Sequence, residues 1–363
     1  MTQPETAAER LEIPADWETF QELADERRWT DGLPVVPPTV ERVAAMLEVV
    51  AADATSSLGP VPPGGGKATL ERVAASAVMA GCKPEWFPVV VAAMRAMLKP
   101  GFNLLGIQAT THPAAPLIVV SGPVARAIGV HGGSGAFGPG FRANATIGRA
   151  IRLALINIGH GHPGHGDRST QGSPAKFSYC VAENVEETPW PEFHVSRGFA
   201  PEQSVVTVIG AEAPHNVNDH ENTEAAGLLG VVADTLLGLG NNNWYMAHHD
   251  RSEIAVFLGP EHAKQIAAHG WSRKDVQEFI FSKVVRTIAD LKIGGMWQMK
   301  DWSPQMLALS DDDAATVPIV RRVEDVFVLV AGGPGKHSLV MPTFGITEAQ
   351  SELVDWPPVG LSA

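Results

Sequence analysis

Cysteine is scarce: Cys82 and Cys180 are the only two in a chain of 363 residues. Two thiols cannot build a disulfide scaffold and suit a reducing compartment, so a cytoplasmic location is expected. Positive charge is also short, with 27 lysines and arginines against 40 aspartates and glutamates and a formal net charge of −13. So acidic a chain offers no electrostatic footprint for phosphate backbones or anionic bilayers, and neither nucleic acid nor membrane is an expected partner. No apolar run reaches the length of about 18 residues that a membrane-spanning helix needs. The first twenty residues lack the basic and apolar regions of a secretory leader. Two nucleotide fingerprints are missing as well: GxGxxG with its acidic residue about 20 positions on, and GxxxxGK[ST]. No nucleotide cofactor is expected.

What the chain does have is an ordinary globular composition, 45% hydrophobic and 18% charged, at a length that exceeds one core. Its 36 glycines, 28 prolines and 13 histidines are unevenly placed. Residues 1–66 read as a proline- and glycine-rich arm. It carries Trp29-Thr30-Asp31-Gly32-Leu33-Pro34-Val35-Val36-Pro37-Pro38-Thr39, a short helix Val40–Val50 capped by Thr39, and a linker at Leu58–Lys67. Such an arm suits a wrap over the body or over a second subunit, hence a possible homo-oligomer.

The body reads as an internal duplication. His112 stands ten residues before Gly122-Pro123 and His249 ten before Gly259-Pro260, with a short apolar strand between in each case. Each Gly-Pro opens a helix, proline taking the first turn where its missing N–H costs nothing. Helices near Pro84–Leu98 and Thr223–Leu239 precede these segments, and Asn144–Ile158 and Asp275–Ile293 follow. Closing strands at Val205–Ile209 and Val326–Val330 complete the match. The expected fold is α/β, two pseudo-symmetric lobes (67–216 and 217–345, then a tail 346–363) with short buried strands alternating with helices. In such sheets ligands sit beyond the carboxyl ends of strands.

Histidine clusters are the first candidate chemistry. Gly159-His160-Gly161-His162-Pro163-Gly164-His165-Gly166-Asp167 offers three imidazoles and a carboxylate in nine residues, a donor set that suits a divalent transition metal. His112 and His249, related by the repeat, could meet across a pseudo-twofold axis and add ligands. His215 and His220 flank Asp219, which reads as a helix N-cap. Cys82 stands just ahead of a helix and next to Lys83, a setting that lowers a thiol pKa. Cys180 reads as core. Two glycine-rich loops could bind an anion: Gly132–Arg142, offering Ser134 and Arg142, and Ala331–Ser338, offering Lys336.

Three segments, Trp29–Thr39, Val78-Met79-Ala80-Gly81-Cys82-Lys83-Pro84-Glu85 and Phe177-Ser178-Tyr179-Cys180-Val181-Ala182-Glu183-Asn184, resemble a bacterial family of UGSC-type (seleno)proteins. The Cys-Gly-Ser-Cys or selenocysteine motif that names that group is absent here, so a redox role implied by the resemblance would fall to Cys82 and Cys180. The function these residues suggest is a metal-assisted enzyme of hydrolase or lyase type acting on a small anionic substrate between the lobes. His112, His160, His162, His165, Asp167 and His249 would hold the metal, with Arg142, Lys336 and Ser134 on the substrate. Thiol catalysis at Cys82 with His215 or His220 as base is the alternative. A non-catalytic ligand-binding protein is a third.

Overall fold

The computed structural model describes residue 8, residues 10–294 and residues 302–356; Gly295 and residues 357–363 of the expected tail lie outside these. Helices and strands interleave as an α/β fold. In chain order the strands are β1 Ser57–Val61, β2 Gly66–Thr69, β3 Ala115–Ser121, β4 Cys180–Ala182, β5 Val205–Ala211, β6 His215–Asn218, β7 Ile254–Leu258, β8 Val285–Thr287, β9 Thr316–Pro318, β10 Val326–Val330, β11 His337–Pro342 and β12 Gln350–Leu353. Two short ladders, β1–β2 and β8–β9, accompany two four-stranded sheets.

Those two sheets have the same order and directions. In the first, β3 runs parallel to β4 and antiparallel to β5, and β12 adds antiparallel to β5. In the second, β7 runs parallel to β10 and antiparallel to β11, and β6 adds antiparallel to β11. The fourth strands are exchanged: β6 follows β5 in the chain yet completes the second sheet, and β12 follows β11 yet completes the first. Where these segments cross they bond to each other, Glu212 N–H donating to the Pro342 carbonyl and Phe344 N–H to that of Gly210, both at 2.9 Å.

Strand pleating sorts the core into three layers. Leu117 and Val119 of β3, Val181 of β4, Ile209 of β5, Phe257 of β7, Phe327 and Leu329 of β10 and Met341 of β11 form one apolar cluster between the sheets. The alternate residues face outward. Ile118, Val120, Val206 and Val208 pack under the helices Leu70–Ala80, Phe87–Met97 and Arg142–Asn157. Val256, Leu258, Val328 and Val340 pack under Ala225–Thr235, Pro260–Ala268 and Arg273–Lys283. Helices therefore cover both outer faces of a sheet pair whose inner faces meet. The space between the sheets is filled with side chains, so any shared recess must lie at its rim.

Several sequence expectations shift at the level of residues. The offset between His112 and His249 is 137 residues, and it pairs Val119 with Val256, which face opposite sides of their sheets. Because side chains alternate along a strand, that alignment is one residue out of step with the pleat. The strand in β5's place is β11, not Val326–Val330, which matches β4. The helix expected over Asp275–Ile293 stops at Lys283, because Val284-Val285-Arg286-Thr287 is rich in β-branched residues and pairs with β9 instead. The helix opened by Pro123 ends before Gly129, whose φ of +72° stops it short of His131-Gly132. Among the described residues no single helix is long and apolar enough to cross a membrane.

Candidate functional site

The helix Arg142–Asn157 collects the three segments that carry the family resemblance. One face supplies Ile147, Ile151 and Leu155 to the core, while polar side chains hold the flanking chain. Arg149 grips Asp31 with two hydrogen bonds, Nε to Oδ2 at 2.8 Å and Nη2 to Oδ1 at 2.7 Å. The same Nη2 reaches the carbonyls of Leu33 and Pro34. Asn157 Nδ2 donates to the Trp29 carbonyl. Cys82 Sγ donates to the Thr146 carbonyl at 3.2 Å, and Ser178 Oγ to those of Asn144 and Ala145. The bidentate Arg149–Asp31 pair is the geometry in which guanidinium and carboxylate bind best, and it fixes the arm against the body.

Between the arm, this helix and the histidine loop opens a recess of about 810 Å³. Its walls carry Arg28, Arg152, Lys176 and His162, with Ile156 and Phe177 supplying apolar surface. Asp167 is buried at the base, where Lys176 Nζ donates to it at 2.7 Å and Arg152 Nη1 at 3.4 Å, and it also accepts from Ser169 N–H. Burial holds both Arg152 and Lys176 below their ordinary pKa values, and each cation lies against a carboxylate that opposes the effect. His162 is also held below its usual value, first by burial and then by the nearby positive charge of Arg28. Its imidazole is therefore neutral near pH 7 and able to accept a proton. The Ser173 hydroxyl on the wall is buried with no hydrogen-bond partner among the described residues. The amide of Gln108, packed against Gly161, and Asn157 Oδ1 are in the same condition. Of these three side chains Ser173 alone lines the recess.

The expected metal constellation does not assemble. Asp167 has both oxygens committed to Lys176, Arg152 and a backbone amide, so it is not an open ligand. His160 and His165 are exposed; His160 takes a left-handed φ of +54° and packs on Gly64. His112 pairs with Glu212 at 2.8 Å through Nε2 and stacks on Phe344, while the His249 ring lies tilted against that of His248, centroids 4.1 Å apart. Among the described residues no group of three histidines, cysteines, aspartates or glutamates is arranged to hold an ion.

The thiol expectation reverses. Burial pushes Cys82 up to about 12, outweighing the Thr146 hydrogen bond and the Arg142 charge, and Cys180 is buried and raised as well. His215 and His220 lie elsewhere, on and beyond the edge strand β6. There His220 meets the His337 ring edge-on, and its carbonyl accepts from Lys336 Nζ. Asp219 caps a turn at Glu221 and Asn222; the helix begins later, at Ala225. Arg142 is turned to the Gly81 carbonyl at 2.9 Å. The two glycine-rich loops do meet, Gly332 N–H donating to the Gly132 carbonyl at the rim between the sheets. Ser134 lines a recess of about 580 Å³ there with residues from both halves, including Lys264 and Glu187.

Arg28, Arg152, Lys176 and Ser173 escaped the sequence reading. Arg152 left a signal, because an arginine inside Ala150-Ile151-Arg152-Leu153-Ala154-Leu155 must face the core and needs a buried carboxylate. The chain matches no protein-family model and no curated protein.

Proposed function

We propose that the protein binds a small organic anion in the recess between the arm and the histidine loop and acts on it by proton transfer through His162. The observation that carries the reading is the recess itself, about 810 Å³ lined by Arg28, Arg152, Lys176, a neutral His162 imidazole and the partnerless Ser173 hydroxyl, where Asp31 and Asp167 are already paired and Asp25 is the remaining carboxylate. A ligand carboxylate or phosphate would sit against Arg28, whose side chain has no ion-pair partner among the described residues, with Lys176 and Arg152 deeper in. His162 would take a proton from a substrate carbon or from water, and Lys176 would stabilise the negative charge left behind. This is hydrolase or lyase chemistry on an anionic substrate, written without an ion because the expected ligand set does not converge. Kinship with the UGSC-type proteins is likewise a proposal, resting on the sequence resemblance of the three segments.

Isothermal titration with straight-chain dicarboxylates, malonate to adipate, and with inorganic phosphate tests the reading. At least one should bind one-to-one and weaken at least about tenfold in Arg28→Ala, the loss of one charge-assisted contact. Arg28 is exposed, so the variant should keep the fold. No binding by any probe, or equal binding by the variant, overturns the proposal.

A further inference from the structure

The second sheet has a recess of its own, about 560 Å³, at the amino ends of β7 and β10. It lies where the chain enters the parallel strand pair, as the loop Ser169–Phe177 enters β4 in the first sheet. Its walls include Arg251, Glu253, Arg321, Arg322, Thr347 and Glu348. These charges are unequally spent. Arg321 uses all three of its nitrogens, donating to the carbonyls of Ala247, His249 and Pro318. Arg322 gives Nε and Nη2 to Asp325, leaving Nη1 without a hydrogen bond among the described residues. Arg251 meets Glu348 through Nε at 3.2 Å, and its terminal nitrogens make no hydrogen bond among the described residues. The Thr347 hydroxyl is fully buried without a hydrogen-bond partner among the described residues.

Glu253 decides what these free donors could share. Its carboxyl is buried, and both oxygens lie within hydrogen-bond distance of a single donor, the Ala349 N–H, at 3.0 and 2.8 Å. We infer that this recess is a second binding site, for a small organic monocarboxylate held between the Glu253 carboxyl and the unspent guanidinium donors of Arg251 and Arg322. Burial pushes Glu253 up to about 8; Asp325 and Glu348 add to the push, while Ala349 N–H and the Arg197 guanidinium resist it. The charged groups around it are thus Arg197, Asp325 with Arg322, Glu348 with Arg251, Asp250 and Arg321. At neutral pH the group carries its proton and donates it in a hydrogen bond to the ligand carboxylate, with no bond broken. Once ionised, it repels the same ligand.

Titration calorimetry with acetate through hexanoate, run in the wild type and in Arg28→Ala, separates this site from the first. Binding whose affinity is unchanged in Arg28→Ala and lost in Arg251→Ala belongs to the second recess. It should weaken about tenfold between pH 6.5 and 9.0, following the protonated fraction of a group near 8. Glu253→Gln, an uncharged donor of the same shape, should bind within about threefold of the pH 6.5 wild type at both pH values. Arg251→Ala, at an exposed position, should lose at least about tenfold. The inference fails if no probe binds Arg28→Ala, if affinity is level with pH in the wild type, or if Glu253→Gln loses binding at pH 6.5.

Discussion

Replacing Glu253 by glutamine should change how stability depends on pH, whether or not a ligand is ever found. The folded-state value near 8 stands against an ordinary 4.5, so the folded protein binds this proton more tightly than the unfolded chain does. Stability from this group is therefore fullest below pH 4.5, falls as pH rises towards 8 and is level above. A shift of about 3.5 units at about 1.36 kcal/mol each gives roughly 5 kcal/mol across the window, and relaxation around the ionised carboxylate would bring it nearer 2 kcal/mol. His162 and His262 are shifted down, mainly by burial, and contribute with the opposite sign. Glu183, raised by burial and held by Arg273, contributes with the same sign. All three are common to both proteins and cancel in the comparison. Urea unfolding followed by tryptophan fluorescence at pH 5.0, 6.5, 8.0 and 9.0 would read the difference. The wild type should lose about 2–4 kcal/mol more than Glu253→Gln between the first and last points. Profiles parallel within about 0.5 kcal/mol would refute the buried, under-bonded carboxyl.

Cys82 and Cys180 should react with a thiol reagent at pH 7.4 at least about a hundredfold more slowly in native protein than in urea, as expected of buried, un-ionised thiols. Native labelling as fast as that of the unfolded chain would place a thiolate where the structure has none. Truncation after Ala349 removes β12 and opens the β5 edge of the first sheet, so the shortened chain should associate or unfold at lower urea. A monomer of unchanged midpoint by light scattering and fluorescence would mean that β12 contributes nothing to the sheet.

The sequence alone determined the alternation of strand and helix, because a short run such as Leu117-Ile118-Val119-Val120, bounded by proline on one side and Gly-Pro on the other, suits a strand buried on both faces. It also determined the proline-opened helices after Gly122 and Gly259, since those signals are local. The histidine loop, too, was visible as a place of interest. Tertiary structure alone decided what those histidines meet. Asp167 looked like a metal ligand from its neighbours in sequence, but its neighbours in space are Arg152 and Lys176. Cys82 looked activated beside Lys83, yet the fold encloses it and reverses the sign of its shift. The strand exchange was invisible for the same reason: pleating dictates which face of β6 or β12 is apolar, not which of two like-ordered sheets offers the open edge. Charge state and partnership depend on burial and on contacts between distant residues, and neither is written in any local stretch of chain.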